Sequence, residues 1–401
     1  MTTSDEFRAR ARAWLTENAT PVNASDDDGH GRRDRASLAD CRAFLQKLHE
    51  AGFAGITWPK EYGGQGLTTA EQMVWNELTA DYDMEFLLWP FTVGLGMPGP
   101  TILALGTERQ KRRYLPRLVS GEEIWCQLFS EPGTGSDVAA LQTAATRSEN
   151  GWVINGQKVW TSGAQHSDFG AIIARTDPTV PKHQGITMFV VDMHHPGVTV
   201  RPLKVATGTS PFNEVFFDDV EVPADAVLGE VNNGWHAAVT MLNFERITIG
   251  AGARKRSDPF AYDNLATLVI ARGRHSETPV RRRLAEVYAR SASLGAFAKY
   301  LHADSLAGNP IGVRGSAAKL AMIEYKLWAC DIVQELFGAE LAFGEDSLTN
   351  VLTTVIGTPG SAAGGGTNEI QRNLIAERIL GLAKDPGVDK HLPFNQIKFS
   401  R

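Results

Sequence analysis

Four short stretches carry residue types that could do chemistry. The first, Phe129-Ser130-Glu131-Pro132-Gly133-Thr134-Gly135-Ser136-Asp137, offers small hydroxyls, free backbone amides and conformationally permissive glycines, a set able to wrap a phosphate or a polar ring edge. A plain Gly/Ser turn has the same composition, and residue types alone favour that reading by roughly two to one. Gly133-x-Gly135 is no dinucleotide fingerprint, because no βαβ unit surrounds it. In the second stretch, Gly156 to Gly163, a strand runs into Trp160 and is followed by the hydroxyls of Thr161 and Ser162. An indole can lie against a flat conjugated ring while a neighbouring hydroxyl or amide bonds to its edge. Taken alone, Trp160 reads as a packing residue.

The third stretch, Met241-Leu242-Asn243-Phe244-Glu245-Arg246-Ile247, lies in a strongly apolar helix. Desolvation there disfavours the charged form of a carboxylate and moves Glu245 towards the range a general base needs. Glu245 and Arg246 diverge by about 100° around a helix, so they need not pair with each other. The ordinary alternative is a surface charge pair. The fourth, Gly364-Gly365-Gly366-Thr367-Asn368-Glu369-Ile370-Gln371-Arg372, is a glycine run entering a helix with Thr367 as N-cap. Free amides at a helix start favour partial negative charge, although a flexible loop before a capped helix would look the same. His194-His195 lacks helical i, i+4 spacing and no HExxH or GxSxG is present, which argues against catalytic zinc and a serine elbow.

The periodicity around these stretches changes twice. Phe7, Ala11, Trp14 and Leu15 predict an amphipathic helix over residues 4 to 18 behind a Ser4 N-cap, and helical spacing recurs at Asp40 to Ala51, Ala70 to Asp81 and Thr107 to Leu118. From Ile124 to Gly229 the runs are short and β-like: Ile124 to Phe129, Trp152 to Trp160, Phe169 to Arg175, Ile186 to Asp192, Val198 to Val205 and Glu214 to Val222. Asn155-Gly156, flanked by apolar residues, predicts a two-residue hairpin. Spacing this close leaves no room for crossover helices, so the middle is expected to be an antiparallel barrel or sandwich. Helical patterning resumes at Ala237 to Arg254, Pro279 to Ala307, Ser316 to Phe337 and Thr367 to Leu382, which implies a bundle. The fold class expected is α+β, divided as an N-terminal helical domain (1–121), a central β-domain (122–233) and a C-terminal helical bundle with its tail (234–401).

Composition narrows the classes further. A chain of 401 residues, 43% apolar and 21% charged, buries a sizeable core without staples. Forty basic against 46 acidic side chains leave a net charge of −6 and no basic stripe for a polyanion. No apolar stretch reaches the length of a membrane span, and Met1 to Arg12 has no signal-peptide core, so the cytoplasm is the default compartment. Cys41, Cys126 and Cys330 form no CxxC pair and are expected to be reduced packing residues.

The four stretches in this order, inside a helical, β, helical frame, resemble the acyl-CoA dehydrogenase family. The resemblance runs from Phe7 to about Leu382 and is densest at Trp125 to Gly133, Trp160-Thr161-Ser162, Phe216-Phe217-Asp218, Gly234-Trp235 and Gly366 to Arg372. It implies FAD as cofactor. Gln127, Phe129, Ser130, Gly135 and Ser136 then match the strand and loop that hold the flavin and its pyrophosphate, Trp160, Thr161 and Ser162 the segment packed against the isoalloxazine, and Thr367 and Glu369 the C-terminal loop contacting FAD. The implied reaction removes the α-proton of an acyl-CoA thioester and passes the β-hydride to the flavin, giving trans-2-enoyl-CoA, with an electron-transferring flavoprotein as reoxidant.

Two departures qualify the match. Many members carry their base as Glu-Gly-Thr before the C-terminal helix, where this chain has Gly365. A smaller group, including isovaleryl-type and long-chain enzymes, places its glutamate immediately before a helix arginine, and Glu245 ahead of Arg246 matches that site. Arg246 and Asn243 then match positions near the CoA moiety, and Gly365 can lend its amide to the thioester oxygen. The second departure is the missing Arg-x-x-Phe-Gly segment, where Arg272-Gly273-Arg274-His275-Ser276-Glu277-Thr278 stands instead. In homotetrameric members that segment reaches a neighbour's FAD. Its loss resembles the pattern of the catalytic subunit of an α2β2 enzyme acting on bulky, steroid side-chain or branched acyl-CoAs, with a homotetramer as the alternative assembly. The rival readings are a non-catalytic flavin-binding subunit and an oxygen-using flavin oxidase or monooxygenase of the same fold.

Overall fold

Helices fill both ends of the chain and strands its middle. The structure is a computed structural model and describes residues 3–21, 36–251, 258–306, 309, 311–343, 346–384, 386–387 and 389–397. The first third holds α1 (Thr3–Asn18), α2 (Leu38–Glu50), α3 (Thr69–Thr79), α4 (Glu85–Leu88), α5 (Thr92–Gly96), α6 (Pro98–Leu105) and α7 (Glu108–Ser120), with the two-residue strands β1 (Thr20–Pro21) and β2 (Tyr82–Asp83). The middle holds β3 (Trp125–Leu128), β4 (Ala144–Arg147), β5 (Gly151–Ser162), β6 (Phe169–Arg175), β7 (Ile186–Asp192), β8 (Val198–Leu203) and β9 (Phe212–Pro223). The remainder holds α8 (Gly234–Ala251), α9 (Tyr262–Ala271), α10 (Thr278–Leu306), α11 (Arg314–Phe337), α12 (Glu340–Phe343), α13 (Thr349–Ala363) and α14 (Asn368–Arg378).

The chain groups into two compact units, one of residues 38–67, 87–245 and 384–401 and the other of residues 1–37, 68–86 and 246–383. In the first, a seven-stranded sheet runs β3-β6-β4-β5-β9-β8, with β7 also paired to β6. Its core joins Trp152, Ile154, Ile172, Phe189, Val191, Val215 and Phe217, all at most 5% exposed. Burying side chains of this size stabilises by about 1.5–3 kcal/mol each. The helix α7 is tied by its own cap to the segment that follows β9. Thr107 and Gln110 form a capping box, and the Gln110 amide then donates to the carbonyls of Asp225 (2.9 Å) and Val227 (2.8 Å). In the second unit, α10, α11 and α13 share a core that includes Val287, Ala329, Val333, Leu336 and Val351.

Three local expectations are corrected. The sheet is mixed, because β3 lies parallel to β6 and β4 meets β6 in a parallel pairing at Ala144 and Arg175, although its other pairings are antiparallel. No crossover helix is needed between β3 and β6, since the loop 129–143 and the β4-β5 hairpin make that connection. Asn155-Gly156 is not a turn. The strand β5 continues through it to Ser162, with a register shift between Ile154 and Gly156. Gly156 sits at φ 150, where a Cβ would meet Thr143 atoms at 2.5–2.8 Å, so the glycine serves a β-bulge and a close approach. The Asn155 amide is engaged by Asp219 in both directions, at 2.9 and 2.8 Å. Ser4 lies inside α1 rather than capping it, and its hydroxyl donates to the Glu71 carboxylate at 2.7 Å. The three cysteines are free and buried.

Candidate active site

Most of the singled-out residues fall in the unit that contains the sheet, and the loop after β3 organises them. Its centre is Glu131, to which the motif alone assigns no role. The Glu131 carboxylate accepts hydrogen bonds from the Lys158 ammonium (2.8 Å) and from the backbone amides of Gln142 (2.6 Å) and Thr143 (3.0 Å). Lys158 is fully buried and also donates to the Phe129 carbonyl at 3.0 Å. Burial pushes the Glu131 carboxyl up, but the charge and hydrogen bonds of Lys158, with Gln142 and Thr143, outweigh it and hold the group below the usual carboxylate range. One buried ion pair thus pins the loop to β5 and to the entry of β4. A close Glu131–Thr134 pairing, 3.0 Å in both directions, tightens the turn.

Beyond that anchor the loop opens to solvent. Gly133, Gly135 and Ser136 are exposed. A Cβ built on Gly133 or Gly135 would meet no atom of the chain within 4 Å, so both positions face open space. Phe129 is buried and Ser130 half-buried, and the Ser130 carbonyl accepts from the Val159 amide at 2.9 Å.

That last bond bears on Trp160. Between Lys158 and Thr161 the pairing of β5 with β9 shifts, so Val159 turns its amide to the loop and Trp160 takes a left-handed backbone at φ 62. Such a conformation costs a bulky residue about 1–2 kcal/mol. The result is an indole 59% exposed, braced edge-on by Phe212 at 5.9 Å, where residue type alone had suggested a packed core position. Bulges commonly re-aim a side chain beside a functional site. Thr161 is buried, its carbonyl taken by Asn213 at 3.0 Å, and Ser162 is half-buried. The polar atoms Gln127 Nε2, Thr134 Oγ1 and Thr161 Oγ1 are buried with no protein partner. An open glycine loop, an outward aromatic and unsatisfied polar atoms in the adjoining strands fit a flat ring system with a polar edge and an anionic tail.

Glu245 is also in this unit, near the middle of α8, and is buried at 9% exposure, whereas Asn243 is exposed. This burial differs from the exposed helix-surface position that residue type alone allows. The backbone of Arg246 continues α8, but its side chain lies outside the described residues.

The other unit holds the glycine loop. Gly365 and Gly366 adopt φ 63 and 83, and the Gln371 amide reaches back to the Gly365 (2.9 Å) and Gly366 (3.2 Å) carbonyls, while Lys319 also bonds to the Gly366 carbonyl. Thr367 caps α14 as expected, its hydroxyl accepting from the Ile370 amide at 3.3 Å. Glu369 is exposed, and its carboxyl is held below the usual range by its own backbone amide and Thr367 at the helix start. In the stretch that replaces the expected Arg-x-x-Phe-Gly, Arg272 bonds to Glu340 (2.7 Å) and Arg274 to Glu277 (2.9 Å) and the Leu336 carbonyl. Both arginines are therefore engaged within the chain.

Comparison with known proteins identifies the family. Family models for the N-terminal, middle and C-terminal domains of acyl-CoA dehydrogenase match residues 2–122, 126–220 and 232–380. The acyl-CoA dehydrogenase IpdE1 of Mycobacterium tuberculosis is 35% identical over 387 residues, covering 95% of this chain and 98% of that protein. Among solved structures, the steroid ACAD Tcur3481-Tcur3483 superposes with a TM-score of 0.79 at 28% identity, covering 95% of this chain and 98% of that one. The ChsE4-ChsE5 complex from Mycobacterium tuberculosis gives 0.75 at 27%, covering 96% and 99%. The chain belongs to the acyl-CoA dehydrogenase family, flavin-dependent oxidoreductases acting on acyl-CoA.

Proposed function

We propose that the chain is the catalytic subunit of a heteromeric acyl-CoA dehydrogenase that converts a bulky acyl-CoA to its trans-2-enoyl-CoA, with Glu245 as general base. The observation that carries the reading is Glu245 itself, a carboxylate 9% exposed on α8 in a chain whose alternative base position is Gly365. A glycine cannot abstract a proton, so the α-proton is taken by Glu245. Asn243, Arg246 and the Gly365 amide are assigned to the acyl-CoA.

FAD is the cofactor of this reading and, when bound, supplies hydride acceptance from the β-carbon. Gln127, Phe129, Ser130, Gly135 and Ser136 would hold its ring edge and phosphates, Trp160, Thr161 and Ser162 its ring system, and Thr367 and Glu369 complete the set. The orphaned Gln127 Nε2 and Thr161 Oγ1 and the exposed Trp160 support that assignment. The domain division 1–121, 122–233 and 234–401 is retained in this reading. A second, dehydrogenase-like subunit is favoured because Arg272 and Arg274 are spent inside the chain, and because the steroid ACAD and ChsE4-ChsE5 relatives are two-component assemblies by name. An electron-transferring flavoprotein is the proposed reoxidant.

The test is co-expression with the product of the adjacent reading frame, followed by anaerobic titration with straight-chain, branched and steroid side-chain acyl-CoAs. The reading expects the flavin absorbance near 450 nm to bleach with the bulky thioesters. Oxygen consumption without any thioester requirement, or a flavin that no acyl-CoA reduces, would overturn it.

A further inference from the structure

We infer that the C-terminal tail is a clasp on the loop that carries Ser136, and that Lys182 is the positioning residue through which it acts. This inference rests on the assignment of that loop to the cofactor's phosphates.

After residue 384 the chain returns to the unit that holds the sheet. Pro393 forms a β-bridge with Pro181, the Phe394 amide donates to the Val180 carbonyl (2.9 Å) and the Asn395 amide to the Pro178 carbonyl (3.0 Å). Phe394 is buried at 7% exposure, with the Arg175 guanidinium 3.8 Å from its ring centroid. These contacts give the tail a fixed seat beside the segment that leads into β7.

Two cations then join that seat to the loop. The Lys182 ammonium bonds to Asp389 of the tail (3.0 Å) and to Asp137, the residue after Ser136 (2.8 Å), with only a tenth of its side chain exposed. Arg175, besides stacking on Phe394, donates to the Lys182 carbonyl (2.7 Å) and the Ala139 carbonyl (2.6 Å). Tail, Lys182 and Arg175 therefore hold the C-terminal side of the loop, at Asp137 and Ala139. The Glu131–Lys158 pair holds its N-terminal side. Between the two anchors lie Gly133, Gly135 and Ser136, exposed and free of neighbouring atoms at both glycines. A loop whose work is to present amides and a hydroxyl to an anion needs both ends fixed, since each freed backbone residue must be ordered again on binding. The residues 182 and 389 are 207 positions apart, which hides the pairing from any local motif.

The experiment uses the holoenzyme, with whatever subunit copurifies, and measures the FAD dissociation constant by flavin fluorescence beside the melting temperature of the flavin-stripped protein. Lys182→Met is expected to weaken FAD binding roughly ten- to a hundredfold and Asp389→Asn roughly threefold to tenfold, while Lys182→Arg stays near wild type. Asp389 is a third exposed, so Asp389→Asn keeps the test open should Lys182→Met fold poorly. Gly135→Val serves as the control within the loop. If Gly135→Val loses FAD while Lys182→Met and Asp389→Asn melt earlier but bind FAD as wild type does, the clasp is overturned and the loop assignment stands. If all three retain wild-type affinity, the loop assignment falls and the clasp with it.

Discussion

The loop at 129–137 and the loop at 364–367 are both glycine-rich, yet they are fixed by opposite means. The first is pinned by a buried charge pair, Glu131 with Lys158, and leaves polar atoms without partners around an outward-facing tryptophan. The second is held through its own carbonyls, captured by Gln371 and Lys319, with two successive left-handed glycines. The first loop exposes Gly133, Gly135 and Ser136 between fixed ends, whereas the second has Gly365 at the position where many relatives carry a glutamate. In the proposed reading the proton transfer falls to Glu245 on α8.

The comparison can be broken from the most costly change to the least. Lys158→Met leaves the Glu131 carboxylate buried without its cation and is expected to cost about 3–5 kcal/mol in denaturant unfolding. Gln371→Ala removes the amide from Gly365 and Gly366, and a loss of about 1–2 kcal/mol is expected there. Equal costs at the two sites would contradict the contrast between charge and carbonyl anchoring. Substituting the glycines sharpens it further. Gly365→Ala forces a side chain onto φ 63 and should cost about 1–2 kcal/mol. Gly135 has no positive φ and open space around it, so Gly135→Ala should leave the melting temperature of the cofactor-free protein within about 1–2 °C while weakening FAD binding.

A control outside both loops concerns pH. Hydrogen bonds from Thr68 and Ser4 hold the Glu71 carboxyl down to about 2 from an ordinary value of 4.5. A depressed folded-state value means that the unfolded chain takes up the proton first as pH falls. The contribution of Glu71 is thus fully present above about pH 4.5 and is lost on descent towards about 2. Thermal melting should show wild type and Glu71→Gln differing at pH 7 and converging near pH 2. A constant difference across that range would contradict the assignment.

Much of the frame was legible in local pattern. The expected strands Phe169 to Arg175 and Ile186 to Asp192 coincide end to end with β6 and β7, because continuous apolar runs bounded by polar residues leave little freedom. Ala144–Arg147 escaped notice, being four residues long with no apolar alternation. Asn155-Gly156 carries a strong two-residue hairpin signal, yet tertiary contacts with Asp219 and Thr143 made it a bulge. The site divides along the same line. Candidate residues in contiguous motifs were legible, and Trp160 was singled out through the family resemblance, since nothing local reveals a left-handed residue in mid-strand. Lys158 and Lys182 were missed because their partners lie 27, 45 and 207 positions away and a lysine in a strand or loop reads as solvated.

The most direct test of the central claim is stopped-flow reduction of the Glu245→Gln holoenzyme by acyl-CoA under anaerobic conditions. With the carboxylate replaced by an amide of the same shape, FAD should stay bound and its bleaching should slow by at least about 10²–10⁴-fold. Bleaching at the wild-type rate would show that another group removes the α-proton and that Glu245 is not the base.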